Sequence, residues 1–275
     1  MTVVDIDNLC LSVVRGKDET QILNGVSFSL EAGKITGVAG ASGSGKTQTG
    51  MALMGLSPKG AQLSGSIRFG EHELVGMPPK EHNALRGTQL SMIFQTPSAA
   101  FHPMLTIGDQ LTDHYRLHTK ASKKDALARA CELLAETRVP EPEEAIKKYP
   151  HQFSGGQLQR IAIASALMCE PKVLVADEPT TALDVTVQAG ILRLLRRLCD
   201  QTGVAVLLVT HDFGVLSSVA DTIVVIEKGR VVEHGEREQV ITRPEHPYTK
   251  SLLEALPNRE VPASTSADGK QEAPQ

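Results

Sequence analysis

The stretch Gly40-Ala-Ser-Gly-Ser-Gly-Lys46-Thr47 decides the fold, because it fits the pattern G-x-x-x-x-G-K-[ST] at every fixed position. The apolar run Ile35–Ala39 before it predicts a strand, and a helix is expected from about Lys46 to Leu56. A strand–loop–helix unit of this kind directs backbone N–H groups and a helix N-terminus at phosphate. We therefore expect a nucleoside triphosphate to bind the loop residues, Gly40, Ala41, Ser42, Gly43, Ser44, Gly45, Lys46 and Thr47.

A second signal lies in Val173-Leu-Val-Ala-Asp177-Glu178, an apolar run that ends in two acids. Lys46 is expected to reach the β- and γ-phosphates, and Thr47 offers a hydroxyl to Mg²⁺. Asp177 is expected to hold the hydration shell of Mg²⁺, and Glu178 to position or deprotonate the attacking water. The alternative interpretation is a solvated pair of acids at the end of a strand.

The second half of the chain alternates apolar strands with helices. Val173–Ala176, Val204–Val209 and Thr222–Ile226 are continuous apolar runs, as expected of strands that are buried on both faces. Helices are predicted between them, at about Val185–Cys199 and Phe213–Ala220. This alternation indicates an α/β fold in which helical crossovers connect the strands of a parallel sheet.

The first half predicts a different arrangement. Its first thirty residues alternate apolar and polar positions, which is typical of antiparallel strands, here joined by a polar turn at Arg15–Gln21. Further strands are expected at Gly65–Phe69 and Leu90–Phe94. From Ile107 to Tyr149 the pattern is helical, and Lys123–Thr137 is its clearest amphipathic segment.

Composition limits the classes of function. Of 275 residues, 28 are Lys or Arg and 32 are Asp or Glu, and the net charge of −4 argues against a nucleic-acid binder that relies on a basic face. No apolar run approaches the roughly 18–20 residues that span a bilayer, and no secretory signal follows Met1. None of the four cysteines forms a C-x-x-C pair, so neither a zinc site nor a redox motif is indicated. We expect a cytosolic chain whose polar residues 258–275 are disordered.

The stretch Phe153-Ser154-Gly155-Gly156-Gln157-Leu-Gln-Arg160 predicts a second anion-binding helix terminus. Ser154 is placed as a helix N-cap, and the two glycines expose the N–H groups of the first turn. Here the sequence resembles the ATP-binding subunits of ABC transporters, whose signature reads LSGGQ. The match covers about residues 2–256 and continues in order with Gln95 after an apolar strand, Asp177-Glu178-Pro179, Ala182-Leu-Asp184 and Thr210-His211-Asp212.

The resemblance implies the fold of a P-loop ABC ATPase. This fold has a RecA-like parallel-sheet core, an N-terminal antiparallel β subdomain and an inserted helical subdomain. By this resemblance the ATP-binding domain covers residues 1–257, and the helical subdomain covers about residues 96–160. Two such subunits face each other head to tail, and each ATP lies between one phosphate loop and the signature of the partner.

The resemblance also implies roles for individual residues toward ATP and Mg²⁺. Glu178 would activate water, His211 would contact the γ-phosphate bound by its own subunit, and Gln95 would sense Mg²⁺ and the nucleotide. Asp184 would cross the dimer interface. The residues implied to bind the nucleotide of the partner are those of the signature, Ser154, Gly155, Gly156 and Gln157. The residues implied to bind Mg²⁺ are Thr47, Gln95 and Asp177.

Within this family the sequence resembles the oligopeptide/dipeptide/nickel importer group, on the stretches 94–110, 149–156, 178–188 and 243–249. Members energise two transmembrane permeases from the cytoplasmic face of the membrane as peripheral subunits, and an extracytoplasmic binding protein supplies the substrate. The second ATPase is a copy or a paralogue. The resemblance therefore implies import of peptides, or of nickel or another metal chelate. The alternatives are an exporter subunit and an ABC-type ATPase outside transport that acts on ribosomes or DNA.

Three departures from the family pattern accompany the match. The stretch Val13-Val14-Arg15-Gly16-Lys17 lacks the aromatic residue that stacks on adenine. Thr96 and His102 replace the more usual Asp or Asn around Gln95. Residues 257–275 carry no cysteine-rich segment, which makes this ending more similar to nickel-type than to peptide-type subunits.

Overall fold

Two β-sheets form the framework of the part of the chain that the computed structural model describes, which is residues 1–255 except 17 and 182. One sheet has four strands in the order β2-β1-β4-β5, and the other has six in the order β10-β9-β3-β8-β7-β6. In chain order the strands are β1 (Thr2–Arg15), β2 (Asp18–Glu31), β3 (Ile35–Ala39), β4 (Ala61–Phe69), β5 (His72–Glu73), β6 (Leu90–Ile93), β7 (Val173–Asp177), β8 (Ala205–Val209), β9 (Thr222–Glu227) and β10 (Arg230–Glu236).

The six-stranded sheet is parallel except at one edge. β3, β6, β7, β8 and β9 run in the same direction, whereas β10 pairs antiparallel with β9. In the four-stranded sheet every pair is antiparallel. The predicted α/β class, with a parallel core and an N-terminal antiparallel sheet, is therefore confirmed.

The helices of the described residues connect the strands and cover the parallel sheet. They are α1 (Lys46–Leu53), α2 (Pro79–Leu85), α3 (Ile107–Thr119), α4 (Lys123–Glu136), α5 (Pro142–Ala145), α6 (Gly155–Leu167), α7 (Val185–Thr202), α8 (Phe213–Val219), α9 (Arg237–Thr242) and α10 (Pro247–Glu254). Four of them, α3 to α6, follow one another between β6 and β7. The division into a helical subdomain at about 96–160 within a domain of residues 1–257 stays a prediction. Among the described residues, no helix has both the length and the apolar character needed to cross a membrane.

The parallel sheet is buried on both faces, as the unbroken apolar runs predict. Along β7, Val173 and Val175 pack with the antiparallel sheet and α1, whereas Leu174 and Ala176 pack with helices on the other face. This alternation follows from the period of two residues in a strand. Because both faces of the sheet are covered, polar side chains can reach a ligand at the ends of the strands.

Two local expectations were wrong, and one strand was not predicted. The predicted Arg15–Gln21 turn is shorter, because Asp18 pairs with Arg15 and β2 begins there. The first helix ends at Leu53 rather than Leu56, where the positive φ of Gly55 turns the chain. The antiparallel strand β10 was not predicted, and the predicted tail at 258–275 lies outside the described residues.

Candidate active site

Four of the motifs singled out in the sequence lie at the ends of four neighbouring strands. β3 leads into the phosphate loop, β8 is followed by His211, β7 ends at Asp177, and β6 is followed by Gln95. In the sheet these strands lie in the order β3-β8-β7-β6, so their carboxyl ends share one edge. In open α/β sheets, ligands bind beyond the carboxyl ends of the strands.

Two positions of the phosphate loop require glycine, because a side chain there would clash with its neighbours and because the backbone angle φ is positive. A Cβ on Gly40 (φ +150°) would lie 2.2 Å from the carbonyl oxygen of Ile226. A Cβ on Gly45 (φ +109°) would lie 2.6 Å from Cδ2 of Leu23. Gly45 also begins α1 without a side-chain cap, so the first N–H groups of this helix remain available to an anion.

Lys46 lies inside this loop. Its Nζ donates hydrogen bonds of 2.9 Å to the carbonyl oxygens of Gly40 and Ala41, and the residue is only 5% exposed. Burial lowers the pKa of Lys46, and the nearby carboxylates of Glu178 and Asp177 oppose that shift. The loop therefore encloses a single ammonium group at the place where phosphate charge would need compensation.

Thr47 and Asp177 bring two hard oxygen donors together. The Thr47 hydroxyl donates a 3.0 Å hydrogen bond to Oδ1 of Asp177, across the gap between α1 and the end of β7. Asp177 is buried, and this burial raises its pKa, assisted by the charge of Glu178 and opposed by the Thr47 hydrogen bond. A buried carboxylate beside a hydroxyl fits Mg²⁺, which prefers oxygen ligands.

The carboxylate of Glu178 accepts hydrogen bonds from residues on both sides of β7. Its Oε2 accepts hydrogen bonds from Nε2 of Gln95 (2.9 Å) and from the hydroxyl of Thr181 (2.8 Å), and Oε1 lies 2.9 Å from Nδ1 of His211. Burial raises the pKa of Glu178, but the hydrogen bonds from His211 and Thr181 outweigh it, so the pKa lies below its ordinary value. Glu178 also has a left-handed backbone (φ +47°), which is held by the bond from its N–H to the carbonyl oxygen of Val209.

Gln95, which was expected to bind Mg²⁺, donates a hydrogen bond from its amide nitrogen to Glu178, and its role toward Mg²⁺ stays a prediction. Thr181 was not singled out from the sequence. A hydroxyl three residues after a candidate base is close enough to bond to it, and the spacing could have indicated this contact. The structure thus adds Thr181 to the residues that orient Glu178.

The signature forms a capped helix start, as predicted. The Ser154 hydroxyl accepts a bond from the N–H of Gln157, and the Gln157 side chain accepts one from the N–H of Ser154. A Cβ on Gly156 would lie 2.6 Å from Cγ1 of Val187, whereas one on Gly155 would have ordinary contacts. Gly155 lines a cleft of about 380 Å³ together with Gln95 and Thr181, both of which donate hydrogen bonds to Glu178.

Asp184, which was assigned to the dimer interface, begins α7. Its Oδ1 accepts a 2.9 Å hydrogen bond from the N–H of Val187, which is a standard N-cap. The next residue, Val185, is 82% exposed. The structure therefore shows a structural bond for Asp184 and an exposed surface next to it.

We expect Asp177→Asn to stabilise the nucleotide-free chain. The raised pKa means that folding disfavours the ionised carboxylate, so stability is lost as the pH rises through the pKa of the folded state. Asparagine keeps an oxygen for Thr47 without the charge. The free energy of unfolding should rise by about 0.5–2 kcal/mol near neutral pH, and by less near pH 3.8, the ordinary pKa of this group. Urea denaturation at the two pH values measures this difference.

The control for this variant is Asp113→Asn, on the exposed side of α3. It should leave the free energy of unfolding unchanged at both pH values. Equal or lower stability of Asp177→Asn near neutral pH would contradict the conclusion that burial of this carboxylate costs the chain stability.

The fold and the site together define a P-loop nucleoside triphosphatase. A glycine-rich loop holds a buried lysine, a hydroxyl and a carboxylate meet where a cation could bind, and a second carboxylate stands where a water could be activated. Comparison with known protein families refines this class. Residues 23–181 match the ABC transporter family, and residues 232–275 match the oligopeptide/dipeptide transporter C-terminal region. The chain belongs to the ABC transporter family, as one of its ATP-hydrolysing proteins.

Curated relatives cover nearly the whole chain. It is 44% identical over 261 residues to the dipeptide transport ATP-binding protein DppD of Bacillus subtilis, which covers 94% of this chain and 78% of DppD. It is 41% identical over 254 residues to the oligopeptide transport ATP-binding protein OppD of Salmonella typhimurium, over 92% of this chain and 76% of OppD. The resemblance to the oligopeptide/dipeptide group is therefore confirmed.

Solved structures agree with the fold. The dimeric bacterial ABC transporter cassette MJ0796 matches with a TM-score of 0.76 at 26% identity, over 85% of this chain and 98% of the cassette. Its post-hydrolysis dimer, bound to ADP and Pi, matches with a TM-score of 0.75 over the same shares of the two chains. ADP and Pi, which the post-hydrolysis dimer holds, are the products of the ATP hydrolysis expected here.

Proposed function

We propose that this chain is the ATP-hydrolysing subunit of a peptide importer. The observation that carries the substrate class is the match of residues 232–275 to the oligopeptide/dipeptide transporter C-terminal region. The relatives named for dipeptide and oligopeptide transport support it, since they align with almost the whole chain. Import of nickel or another metal chelate, the second candidate from the sequence, becomes an outcome of the experiment below.

Hydrolysis is assigned to Glu178 as the base that orients and deprotonates the attacking water. Its lowered pKa keeps the carboxylate ionised near neutral pH, but the same donors that lower the pKa also weaken it as a base. We therefore propose that nucleotide binding redirects Gln95 and His211 away from Glu178. His211 would then turn to the γ-phosphate, and the carboxylate would be free to accept a proton.

The phosphate groups are assigned to the loop. Lys46 would exchange its bonds to the Gly40 and Ala41 carbonyls for bonds to the β- and γ-phosphates. Thr47 and Asp177 would hold Mg²⁺, with Gln95 as a further oxygen ligand after it leaves Glu178. When bound, Mg²⁺ supplies charge neutralisation to the phosphate oxygens.

The signature is assigned to the nucleotide of a second subunit. Ser154, Gly155, Gly156 and Gln157 form an exposed helix start, whose N–H groups suit a γ-phosphate presented by a partner. A head-to-tail dimer would bring Asp184 to the interface, next to the exposed Val185. The solved relative is itself dimeric, which supports this arrangement.

The remaining partners follow from the importer assignment. We propose that the chain acts as a peripheral subunit on the cytoplasmic face of the membrane, with two transmembrane permeases and an extracytoplasmic binding protein. Its ATPase partner would be a copy or a paralogue. No nucleic acid enters the proposed cycle.

The experiment is ATPase stimulation of the reconstituted complex. A short-peptide pool is compared with nickel and nickel chelates, each with its binding protein, and the complex carrying Glu178→Gln gives the background. Stimulation by peptides is the expected result. Stimulation by nickel or a chelate alone would overturn the peptide assignment, and no stimulation by either would overturn the proposed substrate class altogether.

A further inference from the structure

The C-terminal helix α10 contacts the phosphate loop directly. The hydroxyl oxygen of Tyr248, in the first turn of α10, accepts a 2.8 Å hydrogen bond from the backbone N–H of Ala41. These residues are 207 positions apart in the chain. We propose that Tyr248 is a positioning residue for the phosphate loop, through which the C-terminal segment sets the affinity for ATP.

The N–H of Ala41 belongs to a peptide unit whose carbonyl group is also hydrogen-bonded. The carbonyl of Gly40 belongs to the same peptide unit, and it accepts a bond from Nζ of Lys46. Tyr248 and Lys46 thus form hydrogen bonds with the N–H and the carbonyl oxygen of one peptide unit, and together they fix its plane. That plane sets the direction of the Gly40 carbonyl, which holds the ammonium group until nucleotide binds, so Tyr248 acts on the phosphate site through the loop backbone.

Tyr248 is itself held in place. The carboxylate of Glu233, which is only 8% exposed on β10, accepts bonds from the N–H groups of Glu245 (2.9 Å) and His246 (3.0 Å) just before α10. Nδ1 of His246 then caps the N–H of Tyr248. The Tyr248 ring packs against the core on the helical side of the parallel sheet, and Thr249 beside it is fully buried. A hydroxyl that is anchored this firmly can restrain a loop.

A second hydrogen bond from the same part of the chain also holds the loop. The N–H of Gly229, in the turn between β9 and β10, donates a 2.9 Å bond to the carbonyl of Ser44. β10 and α10 therefore both belong to a C-terminal unit that contacts the loop, one at Ser44 and one at Ala41. A loop fixed before ATP arrives loses less conformational freedom on binding, so removing the Tyr248 hydroxyl should weaken binding.

The test compares Tyr248→Phe, which removes the hydroxyl and keeps the ring, with Tyr248→Leu, which removes both. Tyr115→Phe is the matched control, because Tyr115 lies on α3 and packs against the same core without belonging to the site. The full chain is titrated with a fluorescent ATP analogue, and backbone amide exchange is followed across residues 35–50. ATP hydrolysis is measured on the complex to separate KM from kcat.

For Tyr248→Phe we expect the Kd for nucleotide and the KM for ATP to rise about 3- to 10-fold, which is the range of one hydrogen bond. The value of kcat and the melting temperature should stay near those of the unchanged protein. Amide exchange should accelerate in the loop, and Tyr115→Phe should change none of these quantities.

Two results would overturn the proposal. One is an unchanged Kd and unchanged loop exchange in Tyr248→Phe. The other is a Kd that rises only in Tyr248→Leu, which would assign the effect to packing of the ring. Nucleotide binding by the chain does not depend on the transported substrate, so failure of this proposal is distinguishable from failure of the peptide-importer assignment.

Discussion

Glu178→Gln should reduce ATP hydrolysis about 10²- to 10⁴-fold while ATP still binds. The substitution keeps the shape of the side chain and an oxygen that can accept bonds from Gln95 and Thr181. It removes the group that can take a proton from water. The measurement is steady-state phosphate release by the complex, together with nucleotide titration of the same preparation.

The control is Glu132→Gln, on the exposed face of α4, where the carboxylate forms only a loose 3.6 Å ion pair with Arg129. This variant should hydrolyse ATP at the original rate. Turnover near the original rate in Glu178→Gln would remove Glu178 from its role as the base. A simultaneous loss of nucleotide binding would show that this carboxylate also contributes to the binding of ATP before hydrolysis.

Lys46→Met should weaken ATP binding about 100-fold or more, because charged hydrogen bonds to phosphate are among the strongest that a side chain makes. The methionine keeps an unbranched apolar stem in a position that is only 5% exposed. The ammonium group is lost, and with it the positive charge enclosed by the loop. Calorimetric or fluorescence titration with ATP and Mg²⁺ measures the change in Kd.

Lys34→Met provides the comparison at a surface position. Lys34 forms a 2.7 Å ion pair with Glu31 and is 46% exposed, so its loss should leave the Kd for ATP unchanged. A less than 3-fold change in Kd for Lys46→Met would mean that the backbone N–H groups and Mg²⁺ carry phosphate binding without the lysine.

The sequence was most informative where one residue type is required by contact or by charge. Gly40 and Gly45 have no room for a side chain, so the pattern of the phosphate loop could be recognised without any structure. Asp177 and Glu178 stood out because two acids follow a fully apolar run. The parallel order of the core followed from the same runs, since burial on both faces leaves few polar residues within a strand.

The sequence was least informative where exposure removes the pattern or where contacts join distant residues. The first four residues of β2 are exposed at the end of the hairpin, so nothing in their polarity separates strand from turn. The edge strand β10 is mixed in polarity for the same reason. The bond between Tyr248 and Ala41 spans 207 positions and involves a backbone group, which no spacing rule can reveal.

The spacing of the candidate site residues is set by the main chain. The strands β3, β8, β7 and β6 lie about 4.8 Å apart, because backbone hydrogen bonds impose that distance whatever side chains stand behind them. Substitutions in the apolar interior therefore change the stability of the sheet, but they do not change the distance between the strand ends that carry the polar residues. The composition of such a protein can therefore change widely while the fold that positions these strand ends is kept, as the shared fold at 26% identity illustrates.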